Sequence, residues 1–518
     1  MSPQPPGAGR PRIFLLLLNL IFAAALSPIL LHLIVSVVYR QPLNYNEGWN
    51  VYFVSKLLSG KPLYVPLDNF PLTPLNYPPL SYFIIGALSA FIGDILLTGR
   101  IVVLLSSALV TAAIYGIVKN VTRQTAAAVF AALFWLCLMA RLAPTRLVMY
   151  DPQMPAHVFS VGALWLYSRW GGALSSRRTW ILAASCCIGI FIKHLLVAVP
   201  ATIAAALFQE NRRAFRHFAV GGLVIGGAFA GAWGIYGGRD ALANFTDTGR
   251  PVVNARLLFR LAQMFVRRFF IVVFAPVVLL LANFRREWMP YMLYFGVSFA
   301  IGAYTSRGVG VDTNAWFDLF IASALLFGIA AGHLPLWDGG GVQWRAAVAY
   351  LFLLTSLLPL ASDFPNSFRR SLDYGRLRRA EEVYRADVAL LQSIPGPALF
   401  ESLLLGYDAG KEFLLDPINS AQMIVMGRIR ETLVTDAIEQ RRFGAIVLDA
   451  DLDDALCGAR YLAFTTLTRW TPRTLAAIAE NYRRLENGRS PRFFYVPRPA
   501  GDRGSGVCRS ERSMLNHG

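Results

Sequence analysis

The residues that could carry out acid–base chemistry begin in the first polar stretch of the chain, residues 44–50 (NYNEGWN). Glu47 is the first acidic residue, and it follows directly after a long apolar segment. A carboxylate held beside a substrate hydroxyl can remove its proton as a general base. The alternative interpretation is that Glu47 caps a helix or lies on the surface, as an isolated loop glutamate usually does.

Two further ionisable positions lie between apolar segments. Asp151 precedes Pro152, a pattern typical of a helix start, so the residue is interpreted either as a cap or as a second active-site acid. Lys193 and His194 are flanked by apolar runs on both sides, and an ionisable residue in such a place predicts a functional role. A lysine can bind a phosphate as a point charge. The alternative is that Lys193 extends to the membrane interface.

Two weaker patterns follow later in the chain. Asp312 and Asn314 lie in a Gly-containing loop with Trp316, which offers polar atoms and an aromatic face for a sugar but is also typical of an ordinary loop. Arg267 and Arg268 end a basic segment that would hold either a lipid pyrophosphate or anionic headgroups.

No cofactor is indicated by the sequence. Phosphate-loop, dinucleotide and zinc-protease motifs are lacking in a supporting context. His194 has no Cys, Asp or His at metal-ligand spacing, so no metal is assigned, although a divalent ion stays open as an alternative. Without a nucleotide site, a membrane-embedded donor fits better than a cytosolic nucleotide sugar.

The composition predicts an integral membrane protein. The chain has 518 residues, 55% hydrophobic and 15% charged, whereas soluble domains carry about 25% charged residues. Lys and Arg total 49 against 31 Asp and Glu. This excess is explained by cytoplasmic loops and by contacts to lipid phosphates. Nucleic-acid binding is disfavoured because the basic residues are scattered between apolar segments.

The apolar segments predict a polytopic α-helical membrane protein with about eleven spans. Residues 1–12 form a cytoplasmic N-terminal segment, and residues 13–361 form the transmembrane domain with an outer first loop at 39–100. The first span is 13–38. The later spans are 101–118, 124–140, 155–169, 179–192, 194–208, 218–236, 269–284, 288–304, 316–332 and 345–361.

The positive-inside rule sets the orientation of these spans. It favours an arrangement in which 80–92 lies at the outer surface and Lys193 is at the apex of an outer hairpin. Basic clusters then lie in the cytoplasmic loops, and Glu47, Asp151, Lys193 and Asp312 all lie at the outer face.

After residue 362 the pattern changes to that of a small α/β domain, expected to be extracytoplasmic, over 362–497. The predicted helices are 376–392, 427–440 and 472–485. The predicted strands are 398–401, 412–415, 445–449 and 493–496. Residues 498–518 are predicted to be a disordered tail.

The order of these motifs resembles a known family. It comprises Glu47 in the first outer loop, a Gly-Lys-Pro-Leu-Tyr stretch at 60–64, Tyr77-Pro-Pro-Leu, Gly99-Arg100 opening a span, Tyr150-Asp151-Pro152 and Ile192-Lys193-His194. Together, over about 40–330, they resemble the GT-C glycosyltransferases that use polyprenyl-phosphate sugars. Within that superfamily the similarity is to the branch of protein O-mannosyltransferases and lipid A aminoarabinose transferases.

The resemblance implies a GT-C-like fold and an inverting hexosyl- or pentosyltransferase of the plasma (inner) membrane. A hydroxyl on a glycan, lipid or protein acceptor, activated by Glu47, would attack the anomeric carbon of a polyprenyl-phosphate sugar. Asp151 would assist, Arg100 and Lys193 would steady the leaving phosphate, and Tyr77 and His194 would contribute to substrate binding. The chain departs from the family where Asn46 replaces the first member of an acidic pair.

Two other functions are compatible with the sequence. A transporter or flippase of lipid-linked sugars would have a central polar cavity and discontinuous helices. A non-catalytic membrane scaffold would not bring Glu47, Asp151 and Lys193 together.

Overall fold

The structure is a computed structural model and describes residues 9–171, 173–248, 263, 270–281, 285–308, 311–333, 350–351, 353–361, 364–452, 456, 469–486 and 490–499. Arg267, Arg268, part of the predicted span at 345–361 and the predicted tail after residue 499 therefore lie outside the described residues.

The N-terminal two-thirds of the chain is a bundle of apolar helices. Five of them are long and apolar enough to cross a membrane by length and composition: Ile13–Ser36, Ile95–Thr122, Thr125–Leu142, Arg212–Thr246 and Thr313–Gly332. The helices of this part are α1 (Gly9–Ser36), α2 (Tyr45–Leu58), α3 (Leu80–Ile92), α4 (Ile95–Thr122), α5 (Thr125–Leu142), α6 (Gln153–Trp170), α7 (Ser176–Ile192), α8 (Ala198–Glu210), α9 (Arg212–Thr248), α10 (Phe270–Leu281), α11 (Met289–Thr305) and α12 (Phe317–Gly332).

Nearly all predicted spans correspond to one of these helices. The stretch 179–207 is divided into two helices, and Lys193 lies in the turn between α7 and α8 as expected. Helix α9 is broken at Gly238, whose φ of 57° and ψ of −146° are not helical.

Helix α12 is the centre of the bundle. Every residue of Phe317–Gly332 is buried, and the helix packs against α4, α5, α10 and α11. The helix is thus enclosed by other helices. Helix α4 also packs against α6, α6 against α7 and α7 against α9, which extends the bundle away from this centre.

The first loop is folded rather than extended. It contains α2, which begins after the N-cap Asn44, and α3, which lies against α2, α4 and α7. Asp94 caps α4 by accepting a hydrogen bond from the Leu97 amide.

The C-terminal part combines short helices with a four-stranded sheet. Strand β1 (Ala398–Phe400) pairs in parallel with β2 (Ala445–Leu448), which pairs antiparallel with β4 (Phe493–Pro497), and β4 pairs antiparallel with β3 (Tyr482–Leu485). The helices are α13 (Leu358–Ala361), α14 (Phe364–Ser371), α15 (Tyr374–Ser393), α16 (Leu403–Asp408), α17 (Pro417–Val425), α18 (Thr432–Glu439) and α19 (Pro472–Asn481).

Three elements predicted from the sequence differ from the elements observed in this domain. The predicted strand at 412–415 forms only an isolated bridge between Leu415 and Leu72 of the first loop. The predicted helix at 427–440 is reduced to α18. The predicted helix at 472–485 ends at Asn481, because the next residues pair with β4 as strand β3. In the first and third cases a contact with another segment overrides the local pattern.

Candidate active site

Glu47 and Arg100 form a buried ion pair near the start of α4. The Nε and Nη2 atoms of Arg100 each donate a hydrogen bond of 2.7 Å to one oxygen of the Glu47 carboxylate. Both side chains have no exposed surface. The carboxylate also accepts from the backbone amides of Leu43 at 2.7 Å and Tyr150 at 3.0 Å. Each carboxylate oxygen therefore has two donors.

The remaining donors of Arg100 bind the chain that leaves α1. Its Nη1 donates to the carbonyl of Tyr39, with longer bonds to those of Ser36 and Val37, and its Nη2 donates to the carbonyl of Gln41 at 2.7 Å. These carbonyls lie at and after the helix end, where they have no intrahelical donor. Arg100 is therefore fully engaged by protein groups, and so is Glu47.

Asp151 is the centre of a second cluster. Its Oδ2 accepts from Asn46 Nδ2 at 2.9 Å and Arg146 Nη1 at 2.8 Å. Its Oδ1 accepts from the Gln153 amide at 2.8 Å and from Lys193 Nζ at 3.4 Å. The lysine contact is the longest of the four. Asn46, the residue that replaces an acid in the sequence pattern, thus lies directly against the acid of the loop between α5 and α6 (the second loop, residues 143–152).

The charges of this cluster balance each other. Burial alone would raise the pKa of Asp151, but the charges of Lys193 and Arg146 lower it below its usual range. Burial would lower the pKa of Lys193, but Asp151 and the Tyr77 hydroxyl raise it above its usual value. Both groups are therefore ionised at neutral pH.

Tyr77, His194 and Asp312 surround this cluster. Lys193 Nζ lies 3.2 Å from the Tyr77 hydroxyl and 4.5 Å from the centre of the Tyr77 ring. The His194 ring lies 6.0 Å from that of Tyr77, and burial followed by the charge of Lys193 lowers the pKa of His194 to about 4. Asp312 accepts from Arg146 Nη2 at 2.5 Å. Asn314 is in the short 3-10 turn that Asp312 caps.

The two clusters are joined through residues 150 and 151. The Tyr150 amide donates to Glu47 and its carbonyl accepts from Asn50, while the next residue is Asp151. The Tyr150 ring lies against Gly99, where a Cβ atom would be 2.2 Å from Tyr150 Cγ. Glycine at this position lets the second loop lie directly on α4.

The structure thus brings together most of the predicted site residues at one end of the bundle. Glu47 and Arg100 form an ion pair with each other and do not face an open cavity. The cluster around Asp151 contains the predicted residues Lys193 and Tyr77, and Asp312 and His194 adjoin it. A group of three or more His, Cys, Asp or Glu side chains able to hold a metal ion is not found among the described residues.

Sequence reasoning assigned no role in the site to three contributors. Arg146 lies five residues before Asp151 and bridges it to Asp312. Asn46 was noted only as a missing acid. Asp416 comes from the C-terminal domain and accepts from the Tyr45 hydroxyl and from Trp49 Nε1, both at 2.9 Å. The spacing of Arg146 was a usable signal, but nothing in the sequence connects Asp416 to the first loop.

In chemical terms the cluster offers one carboxylate and two cations in a setting with little water. A carboxylate there can accept a proton, and the cations can bind a phosphate. A phosphate that attracts Lys193 and Arg146 would also release the carboxylate from them.

Comparison with known proteins gives a family match within the helical bundle. Residues 76–232 match the family described as dolichyl-phosphate-mannose-protein mannosyltransferase. No curated protein matches the chain by sequence.

Two solved structures match nearly the whole chain. ArnT from Cupriavidus metallidurans bound to undecaprenyl phosphate has a TM-score of 0.58 at 12% identity, covering 93% of this chain and 98% of that one. The same protein in the apo state has a TM-score of 0.57 at 13% identity, covering 92% and 97%. The GT-C fold expected from the sequence is thereby confirmed.

Proposed function

From this GT-C fold and its buried acid–cation cluster, we propose that the protein is a membrane glycosyltransferase that transfers a sugar from a polyprenyl-phosphate donor to a hydroxyl acceptor, with inversion, at the outer face of the membrane. The observation that carries the proposal is the convergence of Asp151 and Arg146, from the loop between α5 and α6, with Lys193, from the turn between α7 and α8, at one end of the bundle. The family match over 76–232 includes all three residues.

In the proposed reaction, Asp151 takes the proton of the acceptor hydroxyl. The acceptor oxygen then bonds to the anomeric carbon, and the bond from that carbon to the phosphate oxygen breaks. Lys193 and Arg146 hold the leaving phosphate, whose growing negative charge they stabilise. Asp151 loses two cationic partners when they turn to the phosphate, which makes it a stronger base.

Glu47, the base expected from the sequence, is proposed here as the positioning residue. Both carboxylates accept four hydrogen bonds. Two of the donors to Asp151 are Lys193 and Arg146, which a phosphate would draw away. The donors to Glu47 are two backbone amides and Arg100, which is itself bound to the end of α1. By holding Arg100 and the Tyr150 amide, Glu47 fixes the backbone that carries Asp151. Arg100 is accordingly proposed as part of this support.

The test uses the full-length protein in liposomes with undecaprenyl-phosphate mannose, glucose or arabinose and an envelope fraction from cells that lack the protein. Release of undecaprenyl phosphate is measured. We expect turnover of one donor and a loss of at least about 100-fold in Asp151→Asn, the usual contribution of a general base. Asp68→Asn, at an exposed carboxylate of the first loop, is the control.

The pH profile distinguishes the two acids. In Glu47→Gln, the turnover rate should still fall at low pH, although its maximum is lower. In Asp151→Asn, the residual turnover rate should no longer fall at low pH. The reverse pattern would return the base to Glu47. Movement of the intact lipid-linked sugar across the vesicle membrane without release of undecaprenyl phosphate would instead identify a transporter.

A further inference from the structure

A polar cavity lies at the end of the bundle opposite Asp151. Its volume is about 480 Å³, and it is formed where α4 and α6 end and α7 begins. Arginines contribute three of its lining residues, Arg123, Arg169 and Arg178.

The distance from the candidate active site follows from the helices. Helix α6 begins two residues after Asp151 and ends at Trp170, which lines the cavity. Helix α7 begins beside the cavity and ends directly before Lys193. With about 1.5 Å of rise per residue, helices of this length separate the two sites by roughly 25 Å. The cavity is therefore not part of the active site.

The lining of this cavity is basic. It includes three guanidinium groups and no carboxylate, and none of the three forms an ion pair with an acid among the described residues. Arg178 is held in place, because its Nη1 donates to the Ala173 carbonyl at 2.6 Å and its guanidinium lies 5.5 Å from the centre of the Trp170 ring. The other cavity wall is stiffened by a 3.0 Å hydrogen bond from Asn120 to Ser168.

Such a set of donors is suited to a phosphate. Guanidinium groups bind phosphate oxygens in pairs of hydrogen bonds, and basic cavities between membrane helices bind lipid headgroups. The volume is within the range of about 300–1,000 Å³ that is typical of ligand sites. Trp170 supplies the aromatic side chain that is common at a membrane surface.

We propose that this cavity binds a phosphate-carrying anion, as the headgroup of an anionic lipid or as a soluble phosphate, at the membrane face opposite the candidate active site. The site does not depend on the proposed transferase function. Its position, at the other end of α6 and α7, differs from that of the Asp151 cluster.

The test is native mass spectrometry of the full-length protein titrated with phosphatidylglycerol, with phosphatidylcholine as the neutral lipid. The variant Arg169→Gln/Arg178→Gln keeps Arg123, and the triple variant adds Arg123→Gln. The matched control is Arg212→Gln/Arg213→Gln/Arg216→Gln, which removes three charges at the same end of the bundle outside the cavity lining. Thermal unfolding midpoints report whether each variant is folded.

We expect phosphatidylglycerol to bind the triple variant on the order of tenfold more weakly than the wild type, the double variant to be intermediate, and the control to be unchanged. Competition by inorganic phosphate would assign the site to soluble phosphates, and lack of competition would assign it to a lipid headgroup. Equal binding by wild type and triple variant, or equal loss in the control, would overturn the proposal. If the triple variant is unfolded, the double variant gives the same decision.

Discussion

At the scale of single residues, the Glu47–Arg100 pair is the most completely satisfied interaction of the site. Each oxygen of Glu47 accepts one hydrogen bond from Arg100 and one from a backbone amide. Breaking such a pair leaves one charge buried without a partner, which is more costly than the pair itself is stabilising.

Glu47→Gln is therefore expected to lower the free energy of unfolding by about 3–5 kcal/mol, because Arg100 stays charged and buried. Thermal unfolding in detergent measures the change. The double variant Glu47→Gln/Arg100→Met removes the orphaned charge and should recover part of the loss. An unfolding midpoint of Glu47→Gln equal to that of Asp68→Asn would refute the structural role assigned to the pair.

His194 predicts a pH dependence of stability. Its pKa is lowered from 6.5 to about 4, so the unfolded chain binds the proton more readily than the folded one. The free energy of unfolding therefore keeps its full value above pH 6.5 and falls as the pH falls towards 4, by about 3 kcal/mol at most. In His194→Gln, the thermal unfolding midpoint should depend less on pH between 6.5 and 4. His217→Gln, at a half-buried histidine on the other side of the bundle's helices, serves as the control, and an unchanged slope in His194→Gln would contradict the prediction.

At the scale of secondary-structure elements, the contact of the second loop with α4 depends on Gly99. A Cβ atom there would overlap the buried Tyr150 ring, so Gly99→Ala must displace the ring or the helix. Such overpacking costs about 1–3 kcal/mol. Because Asp151 follows Tyr150, turnover should also fall.

The matched substitution is Gly162→Ala in α6, where a Cβ atom would meet nothing within 4 Å. Alanine favours a helix over glycine, so this variant should be unchanged or more stable by up to about 1 kcal/mol. Unfolding midpoints and turnover of both variants are compared. Equal behaviour of the two would show that the Tyr150 contact does not position Asp151.

Helix ends were the most predictable part of the site. Asp151 and Lys193 follow from the alternation of apolar segments, since every second turn returns to the same end of a bundle. The partner of each side chain was not predictable, because it depends on how each helix is rotated about its axis. The sequence placed Glu47 at the correct end without indicating that Arg100 would enclose it.

At the scale of the whole molecule, the C-terminal domain is tied to the first loop. Asp416, which is fully buried, accepts from Tyr45 and Trp49, and Gly48 lies directly on the backbone of Leu403 and Leu404. These partners are more than 350 residues apart in sequence, so no local pattern could have indicated them.

Asp416→Ala should release α2 while leaving the sheet intact, because the lost acceptor leaves two buried donors of α2 without a partner. Hydrogen–deuterium exchange should rise in residues 45–58 and stay unchanged in β1 and β2. Asp436→Ala, at an exposed carboxylate of α18, is the control. Equal hydrogen–deuterium exchange of α2 in Asp416→Ala and Asp436→Ala would show that Asp416 does not hold the first loop.

The close approach of α2 and α16 also has a consequence for biosynthesis. A ribosome that adds about 5–20 residues per second reaches Leu404 on the order of tens of seconds after it has made Gly48. During that interval Gly48 and Trp49 Nε1 lack their partners from the C-terminal domain, Leu404 and Asp416. The newly inserted bundle is thus incomplete until the last quarter of the chain has been translated, and pulse-labelled nascent chains should be cleaved by protease in the first loop until α16 emerges.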